Sequence, residues 1–285
     1  MFMSGIADEA GASLETQLKA HKELGWSHIE LRNVNGKPFS DLSESEFNKV
    51  CDQLAEAKMQ VSCHASAIAN WACKITTPFE RDLGIMQRAI PQMKRLNIPF
   101  IRVMSYPNDN WEESAWRDEA VRRLKILAQM ASDGGVTMVL ENCDGWGSLN
   151  PASFSRIFEL VNSSAFKAVY DTGNAAGHGD KDTWAWYQAA KPHIVYVHIK
   201  AHTGPRGEGD KGDHVWPDSG ESMIVETVTD LLKSGYKGGF SIEPHMKAVI
   251  HEGKAITDAE AAYQTYVEYG RRATALVKKA MTVSL

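Results

Sequence analysis

Eight short β-type runs alternate with eight amphipathic stretches along the whole of this 285-residue chain. The runs lie at Phe2–Ala7, His28–Leu31, Gln60–His64, Phe100–Met104, Thr137–Glu141, Phe166–Asp171, Ile194–Ile199 and Gly239–Glu243. Apolar residues recur at helical spacing over Ser13–Leu24, Ser43–Ala57, Phe79–Leu96, Glu112–Asp133, Pro151–Val161, Thr183–Ala190, Met223–Lys233 and Asp258–Lys279. Parallel neighbours need a long crossover, and a helix is the compact one, so the pattern means βαβ units and a parallel sheet. Eight repeats in about this length predict an α/β fold, a (β/α)₈ TIM barrel in a single domain over residues 1–285. A doubly wound open sheet would need a glycine-rich phosphate turn after its first strand. The segment Ala7–Ala12 lacks one, and no Walker A pattern occurs.

Helix signals agree with this division. Ser43 and Glu46 fit a capping box, and Asn150 followed by Pro151 fits an N-cap with proline at the first helical position. Gly25, Gly134 and Gly235 sit where left-handed residues would end helices. The longest irregular segment, Lys200–Ser222, follows the seventh strand and is expected to act as a lid or substrate-contact loop.

Four strand runs close on ligand-type side chains: Glu141, Asp171, His198 and Glu243. Each alone has a bland explanation, as a turn residue, a cap or a core histidine. Together they fall at the same ends of successive strands, which converge in a closed barrel where such folds carry their chemistry. Three carboxylates and an imidazole brought together would repel without a cation. The oxygen-rich, single-imidazole set suits Mn²⁺, Mg²⁺, Co²⁺ or Zn²⁺.

A formal net charge of -5 and the absence of a basic cluster argue against nucleic-acid binding. Cys51, Cys63, Cys73 and Cys143 show no CxxC spacing and are expected to be free thiols of a reducing compartment. No signal peptide and no membrane span are expected, which makes a cytoplasmic location the default. Association into a homo-oligomer stays open.

The residues carry a family resemblance. Gly25–Arg32, Leu140–Asn142, Tyr170–Asn174, Val197–Lys200 and Ser241–Pro244 resemble, in order and spacing, segments of the xylose-isomerase-like TIM-barrel superfamily of sugar isomerases and epimerases. The resemblance implies a divalent metal, Mn²⁺ first, held by Glu141, Asp171, His198 and Glu243. It also implies that Glu141 and Glu243 are the acid/base pair on opposite faces of a ketose-like sugar, acting through an enediolate. His64 is then a contact to a substrate hydroxyl. The chain departs from the family at Asn174, where many members have histidine, and at Lys200-Ala201-His202, where many have an acidic residue.

Asn174, Lys200, His202, Arg206 and Trp216 complete the expected substrate-binding set. Trp71, Trp111, Trp146 and Trp216 follow strands and could wall a sugar site. Glu30 and Arg32 are expected to pair with each other at the barrel mouth. The alternative reading is a lyase or dehydratase of a keto-sugar, keto-inositol or 3-keto-glycoside, which shares the enediolate. An AP-endonuclease-like activity would need more histidine ligands and a basic face. A non-catalytic sugar-binding module would tolerate loss of an acid/base glutamate, yet both are present.

Overall fold

The computed structural model describes residues 1–205, 210–247 and 258–284. The strands are β1 (Phe2–Gly5), β2 (His28–Leu31), β3 (Asn33–Val34), β4 (Lys37–Pro38), β5 (Gln60–Ile68), β6 (Phe100–Ser105), β7 (Thr137–Gly145), β8 (Phe166–Asp171), β9 (Ile194–Ile199) and β10 (Gly239–Ile242). Eight of them form one parallel sheet in the order β1-β10-β9-β8-β7-β6-β5-β2. A bridge between Ile6 and Glu30 brings the two ends of that order together. The result is a nearly closed barrel, with β3 and β4 as a small antiparallel hairpin beside it.

The helices are α1 (Leu14–Glu23), α2 (Glu44–Ala57), α3 (Glu80–Leu96), α4 (Glu113–Gly134), α5 (Pro151–Val161), α6 (Asn174–Gly177), α7 (Thr183–Ala190), α8 (Ile224–Lys233) and α9 (Ala259–Ser284). The capping box at Ser43 is formed in full, and the Asn150 side chain accepts from the Ser153 amide. Gly25 and Gly235 are left-handed, at φ 70° and 85°. The third predicted cap moves by one residue: α4 keeps Gly134, and Gly135 takes the left-handed position at φ 69°. The hairpin and the short α6 have no counterpart among the sequence-based elements. Both are too brief to show a hydrophobic period.

Strand parity divides the core. Successive residues of a strand face opposite ways, so Met138, Leu140, Tyr170, Val197, Ile199 and Ile242 pack outward into the helix layer. Val139, Val169 and Tyr196 point inward with Cys63 and form a separate cluster in the barrel. Ser62 links Ser4 and the Tyr196 hydroxyl there, at 2.8 Å each. Two residues further along the inward rows of β7, β8 and β9 stand Glu141, Asp171 and His198, so the same parity that fills the barrel also aims these three side chains inward.

The segment after β9 is tied down at its stem. Thr203 N–H donates to Asp213 O (3.0 Å), Val215 N–H to Ala201 O (3.0 Å) and Glu221 N–H to His202 O (2.9 Å). Gly212, at φ 66°, lies so close to the Gly204 carbonyl that a side chain there would overlap it. Arg206 lies outside the described residues. All four cysteines are free thiols, and no helix among the described residues is long and apolar enough to cross a membrane.

Candidate active site

The four strand-end side chains meet. Glu141, Asp171, His198 and Glu243 are buried, and one ligand atom from each lies within 4.8 Å of the others. Asp171 Oδ1 accepts the amides of Gly173 and Asn174, both at 2.8 Å, which orients the carboxylate and leaves Oδ2 facing Lys200 Nζ. Asn174 also donates from Nδ2 to Glu141 Oε1 at 2.9 Å. His198 Nε2 faces Glu30 at 3.2 Å from either oxygen, and Ser241 Oγ donates to Glu30 Oε2 at 2.6 Å. This leaves His198 Nδ1 unpartnered, 4.0 Å from Glu141 Oε1 and 3.9 Å from Glu243 Oε2.

Cations surround the carboxylates. Lys200 Nζ lies 3.1 Å from Asp171 Oδ2 and 3.0 Å from Glu243 Oε2. Arg102 Nη1 sits between the two glutamates, 3.1 Å from Glu141 Oε2 and 3.7 Å from Glu243 Oε1. Arg32 reaches Glu243 Oε1 at 3.3 Å while its Nη2 holds Asp8 at 2.9 Å. Burial pushes Asp171 up to about 6 against the pull of Lys200, with Glu141 and Glu243 adding to the rise. Burial also opposes ionisation of Glu243, but Lys200, His245, His198 and Arg102 together hold it well below the usual range. For His198, burial favours the neutral ring, yet Glu30, Glu141 and Glu243 outweigh it and raise the imidazole to about 9. The potential at the inward nitrogen therefore favours positive charge. Three buried carboxylates converging on an imidazole nitrogen without a partner, in that potential, fit a divalent cation.

The remaining expected residues separate. Glu141, Glu243, His64, Asn174, Lys200 and His202 all line one cavity of about 970 Å³. Asp171 and His198 lie behind that lining, both fully buried. His64 Nδ1 has no hydrogen-bond partner, and burial followed by the Arg102 charge pulls its ring down to about 3, so it is neutral and able to accept from or donate to a ligand. Trp216 is placed differently from the expectation: its ring lies beside Tyr269 of α9 and under the Arg272 guanidinium at 4.3 Å. The stem of the segment turns it toward the C-terminal helix instead of the cavity. Trp146 is a core residue at 4% exposure, Trp111 is exposed outside the lining, and Trp71 does line the cavity.

Glu30 and Arg32 also depart from expectation, since each takes other partners. They are two apart on one strand face, so they stand in successive layers of the barrel. Glu30 lies beside His198 and Ser241, and Arg32 lies one layer higher beside Asp8 and Glu243. Sequence reasoning missed Arg102, Glu9 and His245. Arg102 had a signal, as the one charge inside the apolar run Phe100–Met104. Glu9 and His245, joined at 2.8 Å, had none, because they come from opposite ends of the chain.

The family model of the xylose isomerase-like TIM barrel matches residues 18–271. The chain belongs to this family. Among solved structures, the IOLI protein with a binding zinc atom is 16% identical, with 98% of this chain and 99% of that chain covered and a TM-score of 0.72. An L-ribulose 3-epimerase is 16% identical over 99% of this chain and 94% of that chain, TM-score 0.69. The probable 3-DHS dehydratase AsbF of petrobactin synthesis from Bacillus anthracis is 14% identical over 94% of this chain and 98% of that chain, TM-score 0.68. At such identities the likeness is one of fold. No curated protein sequence matches the chain.

Proposed function

We propose that this chain is a divalent-metal-dependent enzyme that isomerises or epimerises a ketose-like sugar by proton transfer through an enediolate. The observation that carries the reading is the convergence of Glu141, Asp171, His198 and Glu243, with His198 Nδ1 facing the carboxylates unpartnered. These residues would hold the ion, Mn²⁺ first among candidates. When bound, the ion supplies Lewis-acid stabilisation of negative charge on the substrate oxygens.

The other steps belong to the side chains. Glu243, held ionised by its neighbours, takes a proton from the carbon beside the carbonyl. Glu141 approaches from a different strand, with its carboxylate fixed by Asn174 and Arg102. Return of the proton by the same carboxylate to the neighbouring carbon gives isomerisation. Delivery by the opposite carboxylate inverts the centre and gives epimerisation. His64 and Lys200 orient substrate hydroxyls and the carbonyl from the cavity wall.

Elimination is the second reading, because a β-leaving group can depart from the same enediolate and the fold resembles that of a probable dehydratase. Incubation of the metal-loaded protein with a ketose panel in D₂O separates them. Deuterium at the exchanged carbon of an unchanged or isomeric sugar is expected; an unsaturated ketone instead would favour the lyase. The metal is tested by calorimetric titration of the chelator-treated protein with Mn²⁺, Mg²⁺, Co²⁺ and Zn²⁺. Saturable binding lost in Asp171→Ala is expected, and equal weak uptake by both proteins would overturn the reading.

A further inference from the structure

The cavity is larger than the site at its floor. Its volume of about 970 Å³ is at the upper end of the roughly 300–1,000 Å³ that ligand pockets span. Strand β5 continues past His64 to Ile68, and from its end the cavity runs on as an arm between the turn after β4 and the first half of α3. Asp41, Trp71, Glu80, Arg81, Gly84 and Arg88 line this arm. The proton-transfer chemistry uses none of them.

The lining is polar, and its guanidinium groups are paired. Arg88 donates to Asp41 Oδ1 at 2.7 Å and to the Ser40 carbonyl at 3.2 Å. Arg81 donates to Asp82 at 2.6 Å and to the Ala67 carbonyl at 3.1 Å. Each guanidinium has its own carboxylate and Glu80 adds a further negative charge, so an anionic tail would find no uncompensated cation among these residues. What the arm offers is an array of planar donors and acceptors beside an indole that is 41% exposed. Vicinal hydroxyls match such an array, and the C–H face of a sugar ring packs on an indole. Gly84 points the same way. Glycine inside a helix is unfavourable, and here an added Cβ would meet only Arg88 Nη1, at 3.2 Å. Its missing side chain therefore leaves room in the arm without being required by the helix.

We propose that the substrate is a ketose carrying a glycosyl group: the keto unit lies at the Glu141–Glu243 floor and an uncharged second sugar fills the arm. This deepens the ketose reading and rests on it. The test is calorimetric titration of the Mn²⁺-loaded protein with D-fructose and with the glycosyl-fructose disaccharides turanose, lactulose and palatinose, repeated on Gly84→Met. At least one disaccharide is expected to bind about tenfold or more tighter than fructose, each tenfold being about 1.4 kcal/mol. That advantage should vanish in Gly84→Met, whose helix content by circular dichroism should match the parent. Hydrogen exchange over residues 80–88 should slow with the disaccharide and not with fructose. Equal affinities, an advantage that survives Gly84→Met, or unchanged exchange with disaccharide bound would each overturn the arm alone. Failure of every sugar to bind would overturn the ketose reading, and the arm with it.

Discussion

Glu30 decides which nitrogen of His198 faces the cluster. With Nε2 engaged by a carboxylate that Ser241 itself holds, the imidazole turns Nδ1 inward. Replacing Glu30 by alanine should therefore lower metal affinity by about 10–100-fold, the usual effect of losing such a partner. Calorimetric metal titration checks this, and unaltered affinity would mean that packing alone orients the ring. The acid/base pair is tested separately. Glu141→Gln and Glu243→Gln should each lose turnover by about 10²–10⁴-fold with the fold retained. Because both residues belong to the proposed ligand set, rates are to be compared at measured, saturating metal. Near-native kcat in both variants would end the acid/base assignment. Arg102 lies between the two glutamates and was hidden in the sequence by its surroundings. A lone arginine in a strand reads as an edge or rim residue until neighbouring strands show what it faces.

At the scale of elements, α1 and α9 meet through His21, whose Nδ1 lies 2.7 Å from the His28 carbonyl and Nε2 2.9 Å from the Tyr266 hydroxyl. Burial, only partly offset by the bond to His28, pushes this imidazole down to about 4. The unfolded chain takes up a proton below its ordinary value near 6.5, whereas the folded chain resists until about pH 4. The contribution of neutral His21 is thus complete above pH 6.5 and is lost as pH falls through that window. Between pH 7 and pH 5 the loss is about 2 kcal/mol. Urea unfolding of the parent and of His21→Gln at the two pH values measures it. The variant should show the flatter dependence, and parallel profiles would exclude His21 as the group responsible. The cap of α2 is simpler. Ser43→Ala removes the hydroxyl that accepts from Glu46 N–H and should cost about 1 kcal/mol.

Across the whole molecule, closure depends on a seam where the first strand, the last strand and the last helix meet. Gly5 of β1 is paired with Ile242 of β10, and an added Cβ would overlap the Tyr266 hydroxyl of α9. Gly5→Ala should therefore destabilise the barrel by about 1–3 kcal/mol through overpacking, read as a lower urea midpoint. An unchanged midpoint would show that Tyr266 can move aside freely. The number and order of the barrel strands and main helices, and the common end on which Glu141, Asp171, His198 and Glu243 fall, were legible in the sequence. Periodicity of two and of 3.6, helix caps and residue type are local properties that a linear chain displays. The partners of Glu30, Arg32 and Arg102, the direction of Trp216 and the arm beside α3 were not. They depend on which inward rows share a layer once the sheet has curled on itself, and on where crossovers return. Glu9 and His245 make the point most plainly: they touch only because closure brings the two ends of the chain to the same mouth. Local sequence thus settled the side-chain types of the candidate site and their side of the barrel, and tertiary closure settled their neighbours, charges and access.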